Sequence, residues 1–153
     1  MNIIILAVGK KKTPYDEQIF EYQKRIVVPF NLTFEIIDPS GHELREVCRA
    51  KESQMLLSKI KSDDAVVALD EFGKNFNTVK FSEFLQKELI DSKKRIVFII
   101  GGAYGFDETI KNRANLILQL SSFTLPHEMV RLIICEQLYR ATNYLLGGKY
   151  HHA

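Results

Sequence analysis

The sequence predicts an α/β protein with a mainly parallel sheet, and three observations lead there. Runs at residues 2–8, 65–69 and 96–100 are apolar on consecutive positions, as strands covered on both faces require. Segments with apolar residues at helical spacing stand between them. The running order is strand, helix, strand, helix, which favours parallel strands joined by right-handed crossovers. At 153 residues the chain suits a single domain spanning 1–153, one that buries roughly 70% of its unfolded surface.

The first strand ends at Gly9 and leads into Lys10, Lys11 and Lys12, either a solvated turn or a phosphate contact at the sheet edge. Thr13 then reads as an N-cap, and Pro14 as the first position of a helix carrying Tyr15, Ile19, Tyr22 and Ile26 and closing before Pro29. Residues 32–37 alternate as a second strand, stopped by Asp38-Pro39-Ser40-Gly41. From His42 to about Lys61 a helix turns Leu44, Val47, Cys48, Met55, Leu56 and Ile60 toward a core. The third strand, 65–69, is followed by a loop, Asp70-Glu71-Phe72-Gly73-Lys74. Asn77-Thr78 opens a helix bearing Val79, Phe81, Phe84, Leu85 and Leu89.

The central strand at 96–100 runs into Gly101-Gly102 and Gly105, then a short polar helix, then a fifth strand at 116–120. Ser121-Ser122-Phe123-Thr124-Leu125-Pro126 follows, and a long helix runs from about His127 to Leu146, where Gly147-Gly148 ends it. Met129, Val130, Leu132, Ile133, Ile134 and Cys135 leave this helix few positions for a wet face. Either a monomer buries it deeply or the same helix of a second copy covers it; the second arrangement is a homodimer about a two-fold axis, and it is the one expected.

A net charge of +2 neither demands nor excludes a nucleic-acid partner. No apolar run approaches the ~20 residues that span a bilayer, and no signal-like pattern opens the chain, so a cytoplasmic protein without a membrane partner is expected. Cys48 and Cys135 lack metal-ligand spacing and read as buried free thiols, and no metal is expected.

Open parallel sheets take ligands at the carboxyl ends of their strands, which here means the glycine loop and residues 120–125. Taken alone, Gly101-Gly102-x-x-Gly105 is either a binding loop or a plain turn. The adjacent Asp70 and Glu71 lack the separated partners that metal or paired-carboxylate chemistry needs. P-loop, nucleophile-elbow, zincin and dinucleotide-binding patterns are absent from the sequence. The polar groups left near the sheet edge are His127, Arg131, Tyr150 and His151.

The segments IIILAVGK, ALD-x-x-GK, VFIIGG-x-x-G, LSSFTLPHEMVRLIICEQLYRA and the terminal Tyr150-His151, in this order and over nearly the whole chain, resemble the RlmH family of SPOUT methyltransferases. The resemblance implies a trefoil-knotted α/β fold and a homodimer. It also implies methyl transfer from S-adenosylmethionine to N3 of a pseudouridine in 23S rRNA of the assembled ribosome. By the same resemblance the cofactor lies against Leu69, Gly101, Gly102, Leu120, Ser121, Ser122, Phe123, Thr124 and Leu125. Glycine at 101 is expected to let it approach closely.

An imide nitrogen must lose its proton near the moment of attack, so a neutral-range titrating group beside the donor is needed. His127 fits either as base or base-positioning group, or only as a residue orienting its helix. Arg131, one turn on, either steadies a phosphate or the developing anion, or pairs with Glu128. Tyr150 and His151 either close over the base, from their own or a partner's tail, or fray. Two positions depart from the family's habit. His152 stands where relatives carry Arg or Lys, and Tyr104 stands where a smaller or acidic residue is common. The same fold also suits a non-catalytic ribosome- or RNA-binding module, although both cofactor loops are retained.

Overall fold

The apolar runs pair into one sheet in the computed structural model, which describes residues 1–91 and 93–150. The elements are β1 (Asn2–Val8), α1 (Asp16–Arg25), β2 (Asn31–Ile37), α2 (Arg45–Leu57), β3 (Ala65–Asn75), α3 (Thr78–Ile90), β4 (Arg95–Ile100), α4 (Glu108–Arg113), β5 (Leu116–Gln119) and α5 (His127–Leu145). The strands lie in the order β2-β1-β4-β3-β5, every neighbouring pair parallel. β4 sits at the centre between β1 and β3, with Ile3 of β1 opposite Ile96 and Ile5 opposite Phe98.

Both faces of these strands are covered, which is why their sequences do not alternate. Ile3, Ile5, Val67, Phe98 and Leu118 belong to a core shared with Ile19 of α1, Phe81 and Leu85 of α3, and Ile134, Leu138 and Ala141 of α5. On the opposite face Leu6, Val8, Val66, Val97 and Ile99 pack with Leu56 of α2 and Phe106 and Ile110 at α4. α5 packs on both α1 and α3, so its start is fixed beside the carboxyl ends of the central strands. No helix among the described residues is long and apolar enough to cross a membrane.

Three boundaries differ from the sequence reading. α1 starts at Asp16, two residues beyond Pro14, because the Thr13 hydroxyl and backbone N–H both donate to the Asp16 carboxylate and hold residues 13–16 in a turn. α2 is shorter than 42–61, and Leu44 and Met55, expected in the core, are exposed because the helix turns Cys48, Glu52 and Leu56 inward instead. The 70–74 loop is an excursion within β3: Leu69 and Lys74 both pair with Leu118, so residues 70–73 bulge out and the strand then resumes to Asn75. Cys48 and Cys135 are buried free thiols, and burial pushes the Cys135 thiol up to about 12.

Candidate functional site

The carboxyl ends of β3, β4 and β5 and the start of α5 enclose a cavity of about 230 Å³. Leu69, Ile100 and Leu118 form its base, where β3 makes its excursion and β4 and β5 end. Gly101, Gly102, Gly105 and Phe106 make one wall; Leu120, Ser121, Phe123, Thr124 and Leu125 make the other. His127 and Val130 of α5 close one side, and Asp70 and Glu71 stand at the lip.

The glycine wall is a tight turn in which the Gly105 N–H donates to the Gly102 carbonyl at 3.0 Å, with Gly105 at φ +70°. That left-handed backbone is the conformation glycine adopts without penalty. A Cβ at Gly102 would fall within 3.0 Å of the Glu52 Oε2. At Gly101 a Cβ would meet the Gly105 backbone at 3.0 Å and the Phe106 ring at 3.1 Å. Glycine at 101 therefore answers to the loop's own closure, where the sequence reading looked to the approach of a ligand.

Behind this wall Ser53 of α2 accepts the Asp107 N–H at 3.1 Å, and Asp107 caps α4 by accepting from Thr109 and Ile110. Burial alone would raise the Asp107 carboxyl. The hydrogen bonds from Thr109, Ser53 and the backbone outweigh it and hold the group below the usual carboxylate value.

The facing wall is tied differently. The Phe123 N–H donates to the Ser121 hydroxyl at 2.9 Å, the Thr124 hydroxyl to a Glu71 carboxylate oxygen at 2.9 Å, and the Gln119 side chain to the Glu71 carbonyl at 2.6 Å. Phe123, on this wall, is 82% exposed, and Phe72, on the neighbouring β3 excursion, is 87% exposed.

His127 is half-buried and lines the cavity, with its ring edge 3.5 Å from where a Cβ on Gly9, just past β1, would stand. Arg131 is buried outright, 2% exposed, and donates to the Lys10 carbonyl at 2.7 Å and the Val8 carbonyl at 3.5 Å. Burial lowers its pKa, against the raising effect of Glu128 and Asp16. Arg131 thus ties α5 to the end of β1 and is not among the cavity-lining residues.

Tyr150 packs on its own α5. Its ring lies 4.6 Å from that of Tyr139 and under the Arg140 guanidinium, its hydroxyl reaches Glu136 at 3.3 Å, and its N–H donates to Asn143 at 3.0 Å. A hydrogen bond with Tyr22, followed by burial and the charge of Glu136, raises the phenol to about 12. Tyr139 is twelve residues beyond His127, about 18 Å along the helix axis, so this tyrosine stands well away from its own chain's cavity.

Of the residues picked out in the sequence, the fold gathers Leu69, Gly101, Gly102, Leu120, Ser121, Phe123, Thr124, Leu125 and His127 around one cavity. Ser122 is exposed and does not line it, and His151 lies outside the described residues. Tyr104, exposed at the loop tip, stacks with Arg45. The sequence reading missed Asp70 and Glu71 as lip residues and missed Glu52 altogether. Glu52 carried a legible signal, the single acid at the inward spacing 48, 52, 56 of α2.

The cavity suits the sulfonium cofactor that the sequence resemblance implies. It offers backbone and apolar groups for an adenosine; among the described residues its lining acids are Asp70 and Glu71, no Lys or Arg lines it, and a buried Glu52 oxygen without a partner stands behind Gly102.

A family model described as "Predicted SPOUT methyltransferase" matches residues 1–151. The chain is 40% identical over 157 residues to the "Ribosomal RNA large subunit methyltransferase H" of Flavobacterium johnsoniae, covering 99% of each protein. It is 42% identical over 156 residues to the protein of the same name from Bacteroides fragilis, again covering 99% of each. With that of Trichlorobacter lovleyi it shares 36% identity over 153 residues, 99% of this chain and 100% of the relative.

Proposed function

The chain belongs to the SPOUT methyltransferase family, and from that premise we propose that it methylates large-subunit ribosomal RNA, at N3 of a pseudouridine of 23S rRNA in the assembled ribosome. The observation that carries this reading is one cavity in which nine of the residues singled out from the sequence converge, with His127 opening into it from the start of α5. S-adenosylmethionine supplies an activated methyl group when bound. Leu120, Phe123, Leu125 and the Gly101–Gly102 backbone, which line the cavity, would hold its adenosine. The trefoil knot of the family belongs to the same reading, as does a cytoplasmic location beside ribosomes.

His127 takes, or positions for loss, the proton on N3 of the target base as the methyl arrives. Arg131 acts beneath it by holding α5 against the Val8 and Lys10 carbonyls, a positioning role rather than contact with RNA. The chain works as a homodimer through the partly exposed apolar face of α5, including Leu132 and Ile133. Because Tyr150 is docked far from its own cavity, the tail serves the partner's cavity, where a tyrosine ring stacks on the splayed base.

The test is methyl transfer from labelled S-adenosylmethionine to ribosomal subunits from cells lacking the modification, with nucleoside analysis of the product. Incorporation at N3 of a pseudouridine is expected, and His127→Ala lowers kcat by about 100-fold to 10,000-fold while the cofactor still binds by calorimetry. Ribosome binding with no methyl incorporated would replace the enzyme by a non-catalytic module. Equal methylation of free rRNA fragments would remove the assembled ribosome as substrate.

A further inference from the structure

We propose that Glu52 sets the cavity's preference for a positively charged methyl donor over the neutral thioether that remains after transfer. The inference rests on the cofactor reading above and deepens it. α2 places Cys48, Glu52 and Leu56 one above another on its inward face, so a carboxylate is carried into the apolar layer beneath the glycine loop. Glu52 is only 2% exposed. Its Oε1 is answered, accepting the Ser40 N–H at 3.1 Å and the Cys48 thiol at 3.3 Å.

Its Oε2 has no hydrogen-bond partner among the described residues, and no Lys, Arg or His there forms an ion pair with it. Arg49, one turn back on α2, forms no ion pair with Glu52 among the described residues. The free oxygen instead lies against Gly102, where any side chain would displace it, and Gly102 is part of the cavity wall.

A buried carboxylate with one oxygen unanswered is unfavourable unless a positive charge comes close. Gly102 separates this oxygen from a space able to receive such a charge, the cavity that Gly102 itself lines. Among the described residues, the acids lining that cavity, Asp70 and Glu71, have the same sign, and no Lys or Arg lines it to oppose them. A sulfonium placed there gains from all three acids. On transfer the sulfur–methyl bond breaks, its electron pair stays on sulfur, and the methyl goes to the nucleophilic nitrogen. The resulting thioether is neutral and loses the attraction, so Glu52 strengthens donor binding and hastens release of product.

Calorimetric titration of the wild type and of Glu52→Gln tests this with three probes. These are S-adenosylmethionine, S-adenosylhomocysteine, and sinefungin, which carries an ammonium near the position of the sulfonium. The wild type is expected to bind both cations more tightly than the thioether. Glu52→Gln keeps the side-chain size and an acceptor for the Ser40 N–H, and is expected to reduce the donor-to-thioether preference about tenfold, with thioether affinity within about twofold of wild type.

Equal weakening of all three ligands would show a merely structural role and overturn the proposal. A wild type that favours the thioether over both cations would overturn it without any variant, which keeps the question decidable if Glu52→Gln does not fold. Absence of binding by all three probes would bring down the cofactor reading and this inference with it. An unchanged preference with binding intact would strike Glu52 alone.

Discussion

The wall formed by residues 101–107 is held from behind by α2, whereas the wall formed by residues 121–125 is held to a neighbouring excursion that is itself exposed. In the first, Ser53 takes the Asp107 N–H, Asp107 caps α4, and Glu52 stands against Gly102. In the second, Thr124 bonds to Glu71 and Gln119 to the Glu71 carbonyl, both at the surface. Phe72 and Phe123, almost fully uncovered, lie on this second side. Exposed hydrogen bonds and few buried apolar contacts mark segments that open at low free-energy cost. The glycine wall therefore supplies the cavity's fixed shape, and the facing wall has the freedom to close over a ligand.

Gly102→Val breaks the fixed wall and is expected to have the largest effect. Its Cβ falls on the buried Glu52 oxygen and meets the Val8 side chain at 3.2 Å, so either the loop or α2 must shift. Overpacking of this kind costs about 1–3 kcal/mol. Thermal unfolding should show that loss, and calorimetry should show cofactor affinity reduced by up to about 100-fold. A variant with wild-type melting and binding would mean that the glycine wall is not fixed from behind.

Asp107→Ala separates the stability of the same wall from its shape. The cap is lost at a cost of about 0.5–2 kcal/mol, while the Asp107 backbone N–H still reaches Ser53. Melting should fall by a few degrees, at about 2–4 °C per kcal/mol for a domain of this size, with cofactor affinity unchanged. The pH dependence has a definite sign. The folded carboxyl is held below its ordinary value of 3.8, so its contribution is present above that value and is lost as pH falls through the folded pKa. The melting difference between wild type and Asp107→Ala should be constant near neutrality and shrink below about pH 4. A difference that grows in acid would reverse the assignment.

The fixed wall was also the more legible one. Ile96 to Ile100 announced a buried strand, and the glycines after it announced a tight turn, because backbone conformation and two-sided burial leave direct marks on residue type. What supports that turn from behind was harder to read: Glu52 belongs to another element forty-nine positions before Gly101, and its polar character hides it from a search for core residues. The facing wall gave a composition but no geometry. Nothing in Asp70-Glu71-Phe72-Gly73 says that the chain leaves β3 and then rejoins β5, since a strand excursion is decided by pairing with distant Leu118. Arg131 read as a functional cation for a similar reason. Its local spacing suggested Glu128, whereas its partners are the Val8 and Lys10 carbonyls, more than a hundred residues away.

Thr124→Val tests the other side of the comparison with the smallest expected effect. It removes the hydroxyl that donates to Glu71 at 2.9 Å and nearly preserves side-chain size. The bond is exposed, so folding stability should change little, with melting within about 1 °C of wild type. The facing wall, however, loses its tie to the β3 excursion and must be ordered when a ligand binds, so cofactor affinity should fall by about twofold to fivefold through faster dissociation. This is the inverse of Asp107→Ala, which moves melting and spares affinity. If Thr124→Val instead lowers melting as much as Asp107→Ala, the facing wall is part of the rigid frame and the contrast between the walls disappears. If it changes neither quantity, the wall closes without help from Glu71, and the exposed ring of Phe123, which lines the cavity, becomes the next group to test for holding the ligand.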